Sequence, residues 1–300
     1  MTESPAQSST STLTTSAAHR TSWFGACIAL YFLTLRQHLH GKRWLVLVAL
    51  FLLPAGLAAI IRATHSRVPN LTLEFALSWT LIPQALLPLV ALLYASGVIQ
   101  DEQEEQTLTY LLIRPIPKWL IYIVKMLANW TTTVLLVIVL ITLTFAAVYI
   151  NSGADFNEVA QRCIRTCEID SLAVIAYCSL FGLIGLLTRR TLIIGVVYTA
   201  VVEGLLANLP LSLRMGTVIY YARLIAYRTL DFIVTWPHGN KDDIAASTWQ
   251  LDIATDPTLK EHPSVRTCVI VLIGASIVCT LIAAWLCSQR EFHVKTPEKD

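Results

Sequence analysis

Charged residues along this 300-residue chain fall in clusters, and the intervals between clusters are long and apolar. Six intervals approach or reach the roughly 20 residues that a helix needs to cross the hydrocarbon core of a bilayer. Residues 44–61 lie between Arg43 and Arg62, and 75–100 between Glu74 and Asp101. Residues 126–154 lie between Lys125 and Asp155, and 171–188 between Asp170 and Arg189. Residues 191–213 are interrupted only by Glu203, and 267–289 lie between Arg266 and Arg290. The first and fourth runs are short, and their flanking cations can extend them by snorkelling. The pattern predicts spans at about 44–62, 76–100, 119–150, 171–188, 191–210 and 267–288. A shorter apolar stretch, 21–35, is followed by Arg36, His38, His40, Lys42 and Arg43. Its length and basic flank predict a helix at about 23–41 lying on the membrane surface, with a seventh span as the alternative.

Composition sharpens this picture. The chain is 55% hydrophobic and only 14% charged, against about 25% charged in an ordinary soluble domain. The expected fold is an all-α polytopic membrane protein with six transmembrane helices and an N-terminal interfacial helix. A net charge of +2 gives no reason to expect a nucleic-acid partner. Residues 1–22 are Ser/Thr-rich with a single Arg20, unlike a secretory signal, and are expected to be a disordered tail. The rest, 23–290, reads as a single transmembrane domain, followed by a 291–300 tail. Lys and Arg set the orientation. With the N-terminus in the cytoplasm, inner segments hold Arg36, Lys42, Arg43, Arg114, Lys118, Lys125, Arg189, Arg190 and Arg290, whereas the two short outer loops hold Arg62, Arg67, Arg162 and Arg165. Both termini are therefore expected inside a cell membrane, with residues 211–266 as an external loop whose first half suits an interfacial helix.

The segment 101–119, DEQEEQTLTYLLIRPIPKW, stands apart. It joins the second and third expected spans. Asp101 with Glu104 three residues on is a variant of a helix capping box. Leu108, Leu111 and Leu112 form one apolar face at helical spacing, beside Glu102, Glu105 and Thr109. Pro115 ends the helix near Arg114, and Pro117 suits the first turn of the next. Loop solvation and capping account for Asp101 and Glu104. An apolar face beside that many carboxylates calls for a cytoplasmic partner.

The stretch LYASGVIQDEQEEQTLTYLLIRPIPKWLIYIVKMLANW resembles the segment shared by permeases of type-2 ABC transporters. The resemblance rests on Glu102, Glu105, Thr107, Leu108, Leu111, Leu112, Pro115 and Lys125, with Gln106 where the family often has Gly. LRQHLHGKRWLVLVALFLLP is similar to the family's surface helix leading into its first span. TRRTLIIGVVYTAVVEGLLANLP is similar to its fifth span. The resemblance implies an exporter-like permease subunit that pairs with a second permease half, as homodimer or heterodimer. It implies a coupling helix at about 102–114 that seats Glu102, Glu105, Thr107, Leu108, Leu111, Leu112 and Arg114 on a separate ABC ATPase subunit. No G-x-x-x-x-G-K-[ST] loop occurs in the chain, so ATP is expected on the partner, with no catalytic, cofactor or metal site here.

Other residues carry weaker signals. Glu203, the one acidic residue deep in an expected span, is an intramembrane functional candidate. Its alternative is a structural carboxylate paired with a neighbour such as Tyr198 or Asn208. Lys125 is expected to snorkel to the cytoplasmic surface. Pro83 and Pro88 are expected to bend the second span. Cys163 and Cys167 share a helix face without the four-ligand pattern of a zinc site. The rival readings are a secondary transporter, which lacks a detectable inverted repeat, and a membrane anchor or sensor. An intramembrane protease would need a Glu-Glu-x-x-x-Arg motif, but Thr109 stands where Arg should follow Glu104-Glu105. Few polar side chains in the spans lean the cargo toward lipid-like, peptide or other amphipathic molecules.

Overall fold

The computed structural model describes residues 23–40, 43–64, 68–97, 117–150, 152–188, 190–208, 212–235, 241–249 and 263–289. Among these, five helices are long and apolar enough to cross a membrane. They are α3 (Asn70–Ala95), α4 (Lys118–Tyr149), α5 (Phe156–Leu187), α6 (Thr191–Asn208) and α9 (Val265–Gln289). Two helices precede them, α1 (Trp23–His40) and α2 (Arg43–Ala63). The apolar part of α2 that is described, Leu47–Ala63, is shorter than the five. Between α6 and α9 lie α7 (Val218–Thr229), the strands β1 (Ile233–Thr235) and β2 (Lys241–Asp243), and α8 (Ile244–Trp249). The strands form an antiparallel hairpin with Val234 opposite Asp242. The chain is thus an all-α polytopic membrane protein, with one small hairpin among the described residues.

Helix α5 is the central element, packed against α3, α4, α7 and α9. Contacts at its two ends define the ends of the bundle. At one, Arg162 near the start of α5 meets Glu74 of α3, while Tyr149 at the end of α4 joins them. At the other, Gly185 of α5 faces the carbonyls of Ala95 and Ser96 at the end of α3, and Thr191 at the start of α6. The Cys287 thiol of α9 reaches the Lys118 carbonyl at the start of α4 at this same end. The residue range 98–116 joins α3 to α4 here, and 188–190 joins α5 to α6.

Helix α5 departs from the sequence expectation. Its hydrophobic run begins at Ser171, but the helix begins at Phe156, so what reads as a charged loop is its first four turns. The chain reverses just before it, where Gly153 takes a positive φ of 66° that costs glycine nothing. Asp155 then caps the helix, accepting from the Asn157 amide at 3.3 Å, and Glu158 sits in the first turn, where a carboxylate suits the helix dipole. The exposed Arg165 and Glu168 point away from the bundle, and the buried Thr166 and Asp170 point into it.

Helix α3 winds as a π-helix from Phe75 to Leu86, with Pro83 inside that stretch, and returns to α-helical winding with Pro88 in its first turn. A proline lacks the amide its helix position would use, and π-windings concentrate at functional or strained places. Close approach of helices is bought by small residues: a Cβ at Gly182 of α5 would collide with Met126 and Tyr122 of α4, and one at Gly195 of α6 with Leu92 of α3. Helix α1 packs along α4. Tyr31 bonds Thr131 at 3.0 Å and His38 bonds Thr132 at 3.2 Å. His38 also packs on the Tyr94 ring, 4.9 Å between centroids, which fastens α1 to both helices that flank residues 98–116.

Candidate functional site: a buried polar stripe on the central helix

On α5, positions 162, 166, 170, 173 and 177 recur at spacings of three and four, which places them along one face. That face carries Arg162, Thr166, Asp170, Ala173 and Tyr177, and everything after Arg162 on it is buried. The groups that meet it come from α3, α4, α6, α7 and the hairpin region.

At its start sits an ion pair. Arg162 Nη2 donates to Glu74 Oε1 at 2.8 Å, its Nε donates to both Glu74 oxygens at 3.2 Å, and Nη1 donates to the Asp231 carbonyl at 3.0 Å. The Tyr149 hydroxyl donates to the other carboxylate oxygen. The guanidinium also lies over the Phe232 ring, 5.7 Å from its centre. Glu74 is fully buried, and a buried carboxylate needs this density of donors. The cluster ties α3, α4, α5 and the segment before β1 together. A second arginine works beside it: Arg62, at the end of α2, donates to the Val148 carbonyl at 3.0 Å and to Asn70. Phe232 continues inward into an aromatic group with Phe75, Trp79 and Trp249, with ring centres 5.0–6.2 Å apart.

Further along the face lies Glu203 of α6, also fully buried. Four donors converge on it: the Tyr177 hydroxyl at 2.9 Å, the Tyr198 hydroxyl at 3.2 Å, and the backbone amides of Val218 and Ile219, both at 3.1 Å. Those two amides begin α7, whose own cap residue, Thr217, makes no side-chain cap bond. Glu203 is therefore the N-cap of α7, supplied from fifteen positions upstream, and it uses the positive end of that helix's dipole. Arg223, one turn into α7, donates to Asn208 Oδ1 at 2.9 Å and stacks over Trp249 at 5.8 Å. Burial pushes the Arg223 guanidinium down to about 10, against the pull of Tyr177 and Glu203, so it remains a cation at neutral pH. Helix α7 is no surface helix: Ile219, Tyr220, Arg223 and Leu224 are all buried, and it packs on α5 and α9.

Residues 39–203 match the family of ABC-2 family transporter proteins. The match takes in more than half of the chain. This chain belongs to the ABC-2 transporter family. It is a permease component of an ABC transporter. No match is found among curated proteins.

The part of this ABC-2 permease that matches its family runs from the end of α1 through Glu203, and so contains Glu74, Arg162, Asp170 and Tyr177. Glu102, Glu105, Thr107, Leu108, Leu111, Leu112 and Arg114 lie outside the described residues. Lys125 is only 3% exposed, on the same face of α4 as Tyr122 and Asn129. Cys163 and Cys167 sit one turn apart on α5, half-buried, and all seven cysteines are free thiols. Among the described residues no group of three or more His, Cys, Asp or Glu side chains could hold a metal. Sequence reasoning placed Glu74 and Asp170 at span borders and Arg162 in a loop. One local signal pointed to the longer helix: Asp155 and Glu158 stand at the capping-box spacing, ahead of Val159, Cys163 and Thr166.

Proposed function

We propose that this ABC-2 permease is the membrane half of an exporter whose energy comes from ATP hydrolysed on a separate ATPase subunit. In this reading α2 joins the five long helices as a sixth span. The N- and C-termini and residues 98–116 face the cytoplasm, and the Glu74–Arg162 cluster with α7 and the hairpin faces outside. The observation that carries the proposal is the family match over 39–203, combined with the place of residues 98–116 between the ends of α3 and α4. Glu102, Glu105, Thr107, Leu108, Leu111, Leu112 and Arg114 form the ATPase contact. Movement of that contact passes directly into α3 and α4. The π-wound, proline-containing stretch of α3 is where that helix yields most easily, because its backbone ladder is already interrupted. The lateral surface of α6, with Leu192, Ile193, Val197 and Leu205 exposed, faces lipid or the second permease half. Cargo is amphipathic, in keeping with the apolar spans.

The test is reconstitution with the ATPase subunit. Vesicle transport and ATPase stimulation are expected to be lost together in Glu105→Arg and Leu111→Asp, with the permease still folded. Transport that continues without nucleotide and follows a proton gradient would overturn the reading.

A further inference from the structure

Asp170 is the buried acid that neither cluster answers. Its side chain is fully buried, and neither carboxylate oxygen has a hydrogen-bond partner. It lies seventeen positions before Leu187, the other end of α5, which is about 26 Å along the axis and within the roughly 30 Å hydrocarbon core. An ionised carboxylate left unpaired in such a place costs several kcal/mol, and an unpaired acid inside a span is by default a functional candidate.

The neighbourhood is specific. Helices α3 and α5 run side by side in one direction, with Glu74 beside Arg162 at one end and Ala95 and Ser96 beside Gly185 at the other. Counting along both, Asp170 lies at about the depth of Pro83, about twelve ångströms in from the ion pair, above the Leu87–Ala95 stretch where α3 packs most closely on α5. Pro83 has no amide, so a carbonyl one turn earlier, in the region of Ser78 and Trp79, lacks its helical donor. The Ser78 hydroxyl and the Trp79 indole nitrogen are also buried without partners. Cys167, one turn earlier on α5, is the titratable neighbour that feels Asp170; the charged side chains on the elements packed against α5 are Glu74 of α3, Lys118 and Lys125 of α4, Glu203 of α6, Arg223 and Arg228 of α7 and Arg266 of α9. Arg162 is engaged by Glu74, and Arg223 by Asn208 and Trp249; among the described residues no ion pair to Asp170 forms.

We propose that Asp170 is a proton-binding site of the permease, loaded when α3, α5 and α7 are packed as seen here and emptied when they part. The loaded form is the neutral acid, the one form of this side chain that carries no charge and can donate a hydrogen bond. On opening, its O–H bond breaks, the proton passes to water, and the carboxylate is hydrated. A conformational cycle driven from elsewhere would then take up and release one proton per opening.

The sign of the pH effect follows from linkage. The packed state binds a proton that the opened or unfolded state releases, so packing weakens as pH rises. The test uses the full-length permease in detergent or nanodiscs, without any ATPase, so its outcome is separate from that of the coupling reading. Infrared spectroscopy should show one protonated-carboxyl band that is lost in Asp170→Asn. The melting temperature of the wild type should fall from mildly acid to mildly alkaline buffer, and that of Asp170→Asn, which mimics the neutral acid, should lose that slope. For the wild type, and as the deciding readout where the variant does not fold, a hydrophobic carbodiimide should modify Asp170 in acid buffer and not in alkaline buffer. A band unchanged by Asp170→Asn, an unchanged melting slope, or labelling of Asp170 that does not vary with pH would each overturn the proposal. Melting that follows sodium or potassium at fixed pH would replace the proton with a metal cation and overturn it as well.

Discussion

Glu74 and Glu203 are both fully buried acids that meet one face of α5 at different depths, and the protein satisfies them by opposite means. Glu74 meets a full positive charge in Arg162, fixed in turn by a backbone carbonyl and an aromatic ring. Glu203 meets no formal charge at bonding distance. It meets two tyrosine hydroxyls and the first two amides of α7. The first arrangement joins four segments through one ion pair and breaks if either partner is lost. The second uses a helix end as its counter-charge and makes the position of α7 depend on a residue of α6. The pair at Glu74 is an interlock between spans, whereas Glu203 is a cap that anchors the region beyond them.

The comparison breaks most sharply at the ion pair. Arg162→Ala leaves Glu74 buried without its charge partner and is expected to cost about 3–5 kcal/mol, read as a large drop in melting temperature in detergent. Joint replacement of both, Glu74→Leu with Arg162→Met, should recover most of that loss, because two apolar groups leave no orphan charge. Glu203→Ala should cost about 2–3 kcal/mol, since it removes a cap and leaves buried donors unpaired. Its signature is local: amide exchange should quicken in α7 and leave α3 protected. Gly182→Val should cost about 1–3 kcal/mol through collision with Tyr122 and Met126, loosening α4 from α5 without touching either acid. The smallest effect, about 1–2 kcal/mol, is expected for Tyr149→Phe, which removes one donor from Glu74 and leaves the ion pair in place.

The two acids also differ in how far the sequence revealed them. A carboxylate alone in an apolar run is conspicuous, so Glu203 stood out, and Tyr198 is close enough in sequence to suggest itself as a partner. The amides of Val218 and Ile219 could not be foreseen, because every residue has an amide and only the fold decides which helix begins beside the acid. Glu74 and Arg162 are eighty-eight positions apart. Each sits among other polar residues, so each reads as the solvated border of a span. For the same reason the start of α5 was misplaced: Arg162, Arg165, Glu168 and Asp170 look like a loop until the bundle shows that two of the four turn inward. The long apolar helices themselves were legible, since continuous hydrophobicity over more than twenty residues has few other uses. The ABC-2 family resemblance rests on residues 93–130, supported by the segments 35–54 and 188–210, and is met by the match over 39–203.

The side of the membrane on which residues 98–116 lie decides the functional account. A single cysteine at Thr109, in a chain whose seven native cysteines are replaced, can be labelled with an impermeant maleimide in intact cells and in inverted vesicles. The account predicts labelling in inverted vesicles alone, on the face where ATP and its ATPase reside. Labelling from the outer face of intact cells would contradict it.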